Sequence, residues 1–89
     1  MSYSYQTERP WLFSEAGVAA ILRVRATIQR HLKTAGAVRS LEATKDSRAG
    51  SSWSDQAILD YLVERKELRE VTPPGTWGQY RVFCEPIRD

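Results

Sequence analysis

The length and composition of this chain indicate one small globular domain. Its 89 residues are 42% apolar and 27% charged, with a formal net charge of +2. This combination argues against intrinsic disorder and does not by itself point to nucleic acid. The single cysteine, Cys84, excludes an intrachain disulfide and a cysteine-rich metal centre.

The sequence also sets expectations for location and domain boundaries. No apolar run reaches the roughly 20 residues of a membrane span, and the polar residues 1–7 lack the basic and apolar regions of a signal peptide. We therefore expect a cytoplasmic protein that does not enter a membrane. It divides into an N-terminal arm at 1–12, loose over residues 1–7, one domain at 13–85, and a short C-terminal tail at 86–89.

A long amphipathic helix is predicted over residues 15–35. Ser14 can cap its first turn, Phe13 and Val18 have the spacing of a hydrophobic staple across that cap, and Gly36 is a natural stop. The apolar residues that recur at helical spacing are Val18, Ile21, Leu22, Val24, Ile28, Leu32 and Ala35.

Two further helices follow, separated by the turn-forming residues 46–51. Val38–Lys45 can form a short second helix with Val38 and Leu41 facing inward. The third helix begins with a Ser-x-x-Asp capping pattern at residues 52–55, in which either Ser52 or Ser54 can be the cap. It is predicted to end near residue 66 or 67, and its inward face is predicted to hold Ala57, Ile58, Tyr61, Leu62 and Arg65.

The last predicted element is a β-hairpin, which makes the fold class α+β. Its strands are predicted at Leu68–Thr72 and Gly78–Cys84, joined by a turn at Pro73–Thr76, because prolines cannot donate to a strand ladder. In the second strand Tyr80, Val82 and Cys84 alternate with Gln79, Arg81 and Phe83, which is the period of a strand with two unlike faces.

Charge is distributed unevenly along the chain. Residues 14–51 carry seven basic and three acidic side chains, whereas residues 52–89 carry five basic and seven acidic ones. A basic first half can neutralise phosphates, but the same charges on a helix face also keep a small protein soluble. Both interpretations remain open for Arg23, Arg30 and Lys33 of the first helix.

The order of elements resembles that of the winged helix-turn-helix superfamily. The resemblance is strongest over Ala57–Phe83, where the third helix, a glycine-containing turn and the segment Gln-Tyr-Arg-Val-Phe follow one another. It implies a small winged-helix-like domain of two or three helices and a hairpin wing, with the third helix in the major groove and the wing on the DNA backbone or minor groove. The implied contact positions are Ser54, Asp55, Gln56, Leu59 and Asp60 on the helix, and Thr76, Trp77, Gln79 and Arg81 on the wing.

The first functional hypothesis is therefore a small DNA-binding protein, for example a bacterial or phage transcriptional regulator. The residues predicted to bind nucleic acid are Arg39, Lys45, Arg48, Gln56, Trp77 and Arg81. Trp77 has two readings, because a tryptophan near a hairpin tip can stack on a base or a partner, or fold back on the domain's own core.

The alternative hypothesis is a protein-interaction module, as a monomer or a homodimer. Carboxylates at Asp55, Asp60, Glu64 and Glu67 occupy outward positions of the third helix, and like charges oppose its approach to phosphates. Winged helices also bind proteins, so the fold does not decide between the two. The acidic helix face or Trp77 would then contact a protein partner or a second copy.

Catalysis is not expected. An enzyme needs convergent reactive groups, and this chain has one histidine, His31, and one cysteine, Cys84, with no third group to orient them. It also lacks a phosphate-binding glycine loop and the spacing of a zinc site. We therefore expect no cofactor, no metal and no enzymatic activity.

Overall fold

The computed structural model describes residues 3–76 and 78–86, and it has the predicted α+β class. The helices are α1 (Tyr5–Glu8), α2 (Glu15–Ala35), α3 (Ser40–Ala43) and α4 (Ser52–Glu64), and the strands are β1 (Ala37–Arg39), β2 (Arg69–Glu70) and β3 (Val82–Cys84). Two 3-10 turns span Arg9–Phe13 and Gly78–Tyr80. This order is consistent with a winged-helix-like layout.

The predicted bounds and caps of the long helix are confirmed. The Ser14 hydroxyl accepts a hydrogen bond from the Gly17 amide at 3.1 Å and donates one to the Trp11 carbonyl at 2.6 Å, so one side chain joins the preceding 3-10 turn to α2. Gly36 ends the helix in the left-handed conformation at a φ of 77°, and its N–H reaches the Leu32 carbonyl.

The buried face of α2 differs from the predicted one. Val18 and Leu22 were expected in the core but are 48% and 58% exposed. Gly17, Ala20 and Thr27 are buried instead, because small side chains there let neighbouring segments approach the helix closely.

The segment preceding α2 is not loose, so the expectation for residues 1–7 is wrong over the described residues from Tyr3 onward. We call residues 3–13 the N-terminal strap. Leu12 is fully buried in the core, and the strap crosses α2 so closely that a Cβ on Gly17 would lie 2.2 Å from the Trp11 carbonyl oxygen. The tail beyond Pro86 lies outside the described residues.

The predicted second helix is also partly wrong. Val38 is buried but belongs to strand β1, which pairs antiparallel with β3, Val38 opposite Phe83. Helix α3 begins only at Ser40, and Leu41, expected inward, is 52% exposed. A three-residue strand is too short for its two-residue alternation to be recognised in the sequence. The hydrogen-bonded ladder with β3 makes this segment a strand rather than a helix.

Helix α4 begins and ends close to the predicted positions, but its cap is Ser51, which was not among the candidates. The Ser51 hydroxyl accepts from the Trp53 amide at 3.1 Å, whereas Ser54 is buried. The helix stops at Glu64 because Lys66 adopts a left-handed φ of 61°, and the Glu67 amide then donates to the Leu62 carbonyl at 2.8 Å.

The predicted hairpin is present as the antiparallel pair β2–β3, shorter than expected and with a third strand added. The sheet order is β1–β3–β2, so β3 is central, and its fully buried Phe83 is the largest side chain in the core. The first half of the predicted returning strand is the 3-10 turn at Gly78–Tyr80. Ser40 holds this turn, since its hydroxyl donates to the Gly78 carbonyl at 2.6 Å and accepts from the Arg81 amide at 3.1 Å.

We predict that Gly17→Ala destabilises the domain by about 1–3 kcal/mol, because the new methyl group would meet the backbone of the strap. At an unhindered helical position the same substitution would stabilise by about 1 kcal/mol. The sign of the change in the free energy of unfolding therefore shows whether the strap lies against this position. Urea unfolding followed by circular dichroism measures it. A stabilised variant would show that the strap does not lie against α2.

Candidate functional site

The strongest polar arrangement in the domain is centred on Arg81. Its guanidinium lies 2.6 Å from a carboxylate oxygen of Asp60 on α4 and 2.8 Å from one of Glu70 on β2. It also donates to the side-chain oxygen of Gln56 at 2.8 Å. We call these four residues the Arg81 cluster. The Arg81 side chain is only 13% exposed, whereas Glu70 remains 33% exposed, and the cluster ties the β2–β3 hairpin to α4.

The charges of the cluster reinforce one another. Burial is the largest single influence on the pKa of Arg81 and lowers it, but the hydrogen bonds and negative charges of Glu70 and Asp60 together outweigh burial and raise this pKa. The hydrogen bond from Arg81 is the main reason why the pKa of Glu70 is lowered. The guanidinium carbon also lies 5.1 Å from the centre of the Phe83 ring, a cation–π distance.

Two residues predicted to bind DNA, Gln56 and Arg81, are thus bonded to each other inside the domain. The alternating pattern of the last strand places Arg81 on the same face as Phe83, because residues two apart share a face. Once Phe83 is assigned to the core, Arg81 must point to the same side. No local feature of the sequence indicates its partners Asp60 and Glu70, which lie on two other elements.

The N-terminal strap occupies the adjoining part of α4. The Tyr3 hydroxyl donates to Asp60 at 2.6 Å, the Tyr5 hydroxyl donates to Glu64, and Arg9 pairs with Glu64 at 3.2 Å. Burial and the bond with Glu64 raise the pKa of Tyr5 to about 12, and the hydrogen bond from Arg9 is the main cause that lowers the pKa of Glu64. The acidic positions that face outward from α4 are therefore largely paired.

Helix α4 is exposed only at its ends, and six of its thirteen residues are half-buried. Of its thirteen residues, only Ser52 and Glu64, at its two ends, are exposed. Ser54 and Leu59, which the resemblance placed toward a DNA groove, are 7% and 0% exposed.

The three other described DNA-binding candidates lie before α4. Arg39 pairs with Glu42 at 3.0 Å and keeps a 58% exposed side chain. Lys45 and Arg48 are exposed in the turn that leads into α4, and neither forms an ion pair with any residue in the described ranges. The sixth candidate, Trp77, lies outside the described residues. The structure therefore separates the exposed Lys45 and Arg48 from the half-buried, mutually hydrogen-bonded Gln56 and Arg81.

A groove opens between α3, the first turn of α4 and the Gly78–Tyr80 turn; we call it the α3–α4 groove. Its volume is about 560 Å³, and its lining is mainly apolar, with Leu41, Trp53 and Tyr3 on its walls. The polar groups that reach it are Asp55, Gln56 and Arg81. The half-buried Asp55 accepts a hydrogen bond from the Ser47 hydroxyl at 2.5 Å, and burial is the main cause that raises the pKa of its carboxyl. Because Leu41 was expected to face inward, the sequence did not indicate this groove.

Neither a metal site nor a membrane-spanning helix is found in the described part of the chain. Residues 3–76 and 78–86 contain no group of three histidine, cysteine or acidic side chains placed to hold a metal ion. His31 lies 3.9 Å from Glu42 on the surface. None of the described helices is both long and apolar enough to cross a membrane.

Comparison with known proteins does not assign this chain to a family. No family model, no curated protein and no solved structure matches it.

Removal of the Arg81 guanidinium should destabilise the domain strongly. We expect Arg81→Met to cost about 2–3 kcal/mol in urea unfolding, because it leaves two partly buried carboxylates without their shared cation. Arg81→Lys keeps the charge but cannot reach Gln56, Asp60 and Glu70 together. It should therefore lower the free energy of unfolding by less than Arg81→Met does. Equal decreases in the free energy of unfolding of the two variants would mean that the planar geometry of the guanidinium contributes nothing to stability.

The lowered pKa of Glu70 predicts a specific pH dependence. A carboxyl whose pKa is lower in the folded than in the unfolded state stabilises the fold above its ordinary value of 4.5, and this stabilisation is lost as pH falls through the folded pKa. Between pH 7 and pH 3, the free energy of unfolding should therefore fall more steeply for the wild type than for Glu70→Gln. Identical slopes would contradict the role given to Arg81 in holding this carboxylate.

Proposed function

We propose that this chain is a protein-interaction module of winged-helix-like layout that binds a peptide segment in its α3–α4 groove. The observation that carries the proposal is the pairing of the carboxylates on α4. Its outward carboxylates are paired with Arg81 and with the strap, which leaves little of this helix to enter a DNA groove. The adjoining concave surface, in contrast, remains open.

The size and lining of the groove support a peptide ligand. A volume of about 560 Å³ lies within the roughly 300–1,000 Å³ typical of ligand pockets. Tryptophan and tyrosine are enriched at binding hot spots, and both line this groove as Trp53 and Tyr3. Leu41, at 52% exposed, gains burial if an apolar side chain enters.

The charges around the groove favour a basic rather than an acidic ligand. Its lining and the cluster behind it contain one guanidinium, that of Arg81, and three carboxylates, those of Asp55, Asp60 and Glu70. Complementary potentials select partners. The expected ligand is therefore a segment that combines an apolar or aromatic side chain with a lysine or arginine.

An array of random heptapeptides tests this proposal. Wild-type protein should retain peptides that carry an aromatic or aliphatic residue near a basic one, and replacement of that basic residue by glutamate should weaken binding at least tenfold. Leu41→Lys should abolish retention, because it removes an apolar wall and adds a like charge. Leu22→Lys is the matched control, since Leu22 is comparably exposed but lies on α2 outside the groove. Retention of acidic peptides, or indifference to Leu41→Lys, would overturn the proposal.

DNA binding is the second candidate, and one observation favours it. Lys45 and Arg48 project from the exposed turn before α4 without an ion-pair partner among the described residues, and Arg39 is close to them in sequence with a largely exposed side chain. Such cations can bind phosphates without the help of α4, which would make the turn, rather than the helix, the contact surface.

Fluorescence anisotropy with arbitrary duplex DNA at ~50 and ~200 mM salt separates this candidate from the first. If the turn binds phosphates, the double variant K45E/R48E should weaken binding more than tenfold and reduce the salt slope by about 2. Lys66→Glu, at an exposed lysine beyond α4, is the matched control. Absence of binding at ~50 mM salt would remove this candidate and leave the peptide proposal untouched.

A further inference from the structure

The outward face of α2 carries an ordered stripe of residues. Glu15, Ala19, Leu22, Ala26, Gln29 and Lys33 follow one another at alternating steps of four and three residues, the spacing of a helix seam that faces another helix. We call these six residues the α2 stripe. The stripe is opposite the face formed by Ala20, Val24, Thr27 and Ile28, which are buried in the core.

The middle of the stripe is apolar and has no cover among the described residues. Leu22 is 58% exposed, the highest value among the large hydrophobic residues of the described chain, and the neighbouring Val18 is 48% exposed. Ala26 is also exposed. Apolar side chains grouped along one helix, rather than scattered singly, are typical of a contact surface.

The charges at the two ends of the stripe have opposite signs. Glu15 lies in the first turn of α2 and Lys33 in the last, and the two are separated by roughly 27 Å along the helix at 1.5 Å per residue. Both side chains are exposed. A surface that is acidic at one end, apolar in the middle and basic at the other end is complementary to itself when it is turned by a half rotation.

We propose that the α2 stripe binds the same stripe of a second copy of this chain, antiparallel, about a twofold axis that passes through the outward face of α2 midway between Leu22 and Ala26. This arrangement sets Leu22 of each copy against Ala26 of the other, so that a large side chain meets a small one. It also sets Glu15 of each copy against Lys33 of the other. A parallel pair would set like charges beside each other at both ends and is disfavoured.

The contact involves one helix from each copy, so the dimer is expected to be weak. Stable interfaces bury about 1,200–2,000 Å², which a single helix pair does not reach. The monomer and dimer should therefore exchange, with a dissociation constant in about the micromolar range. The α3–α4 groove is not part of the stripe, so dimerisation and peptide binding can fail independently.

Sedimentation equilibrium of the full chain between ~1 µM and ~1 mM tests the dimer. The mass should rise with concentration from 10.2 kDa toward twice that value. Leu22→Glu should weaken association more than tenfold, whereas Leu41→Glu, a control at a comparably exposed leucine on α3, should not change it. A monomer across the whole range, or a dimer that Leu41→Glu disrupts and Leu22→Glu does not, would overturn the proposal.

A charge exchange tests the antiparallel orientation. E15K and K33E should each weaken association several-fold, because each variant sets like charges together at both ends of the dimer. The double variant E15K/K33E should restore wild-type association. Thermal melts provide the control for folding: both changes oppose the helix dipole, so the double variant should be the least stable monomer even though it regains the dimer. Failure of the double variant to regain association would exclude the proposed pairing.

Discussion

The ion-paired guanidinium of Arg81 is the interaction on which the rest of this small fold depends. An isolated two-stranded ribbon is marginally stable, and β2 has only two residues. Arg81 joins this ribbon to the middle of α4 through Asp60 and to its own neighbour strand through Glu70. Phe83 can then lie in the core beneath the guanidinium. Without this bridge, two carboxylates and one amide from α4 and β2 would have to be solvated separately.

The same bridge determines which surfaces remain available. Asp60 and Glu64 would repel a phosphate backbone if they were free, but they are bonded to Arg81, Tyr3 and Arg9. The uneven charge of the sequence therefore does not become two opposed surfaces. Part of it is neutralised by ion pairs of α4, whereas exposed charges without an ion-pair partner among the described residues remain in the turn before α4 and at the two ends of α2.

Local chemistry made much of the fold predictable from the sequence. Ser14 and Gly36 fixed the bounds of α2, and the proline-rich turn fixed the hairpin. The rest depends on long-range contacts that have no local signal. A three-residue strand at Val38 follows from its pairing with β3, and a left-handed stop at Lys66 is invisible because glycine is the residue expected there. The site was harder to predict for the same reason, since Gln56 and Arg81 were read as free side chains although each is the other's partner.

The position of α4 at the centre of the domain also accounts for the two exposed leucines. A core organised around one covered helix is complete with Phe83, Leu12 and the buried face of α2, so Leu22 and Leu41 are not required to fill it and remain on separate surfaces. The charges around them differ in symmetry. The groove beside Leu41 and the cluster behind it hold three carboxylates and one guanidinium, which suits a basic ligand, whereas Glu15 and Lys33 at the two ends of the α2 stripe have opposite signs, which suits a second copy. Electrostatic symmetry, rather than apolar area, therefore distinguishes what each surface can bind.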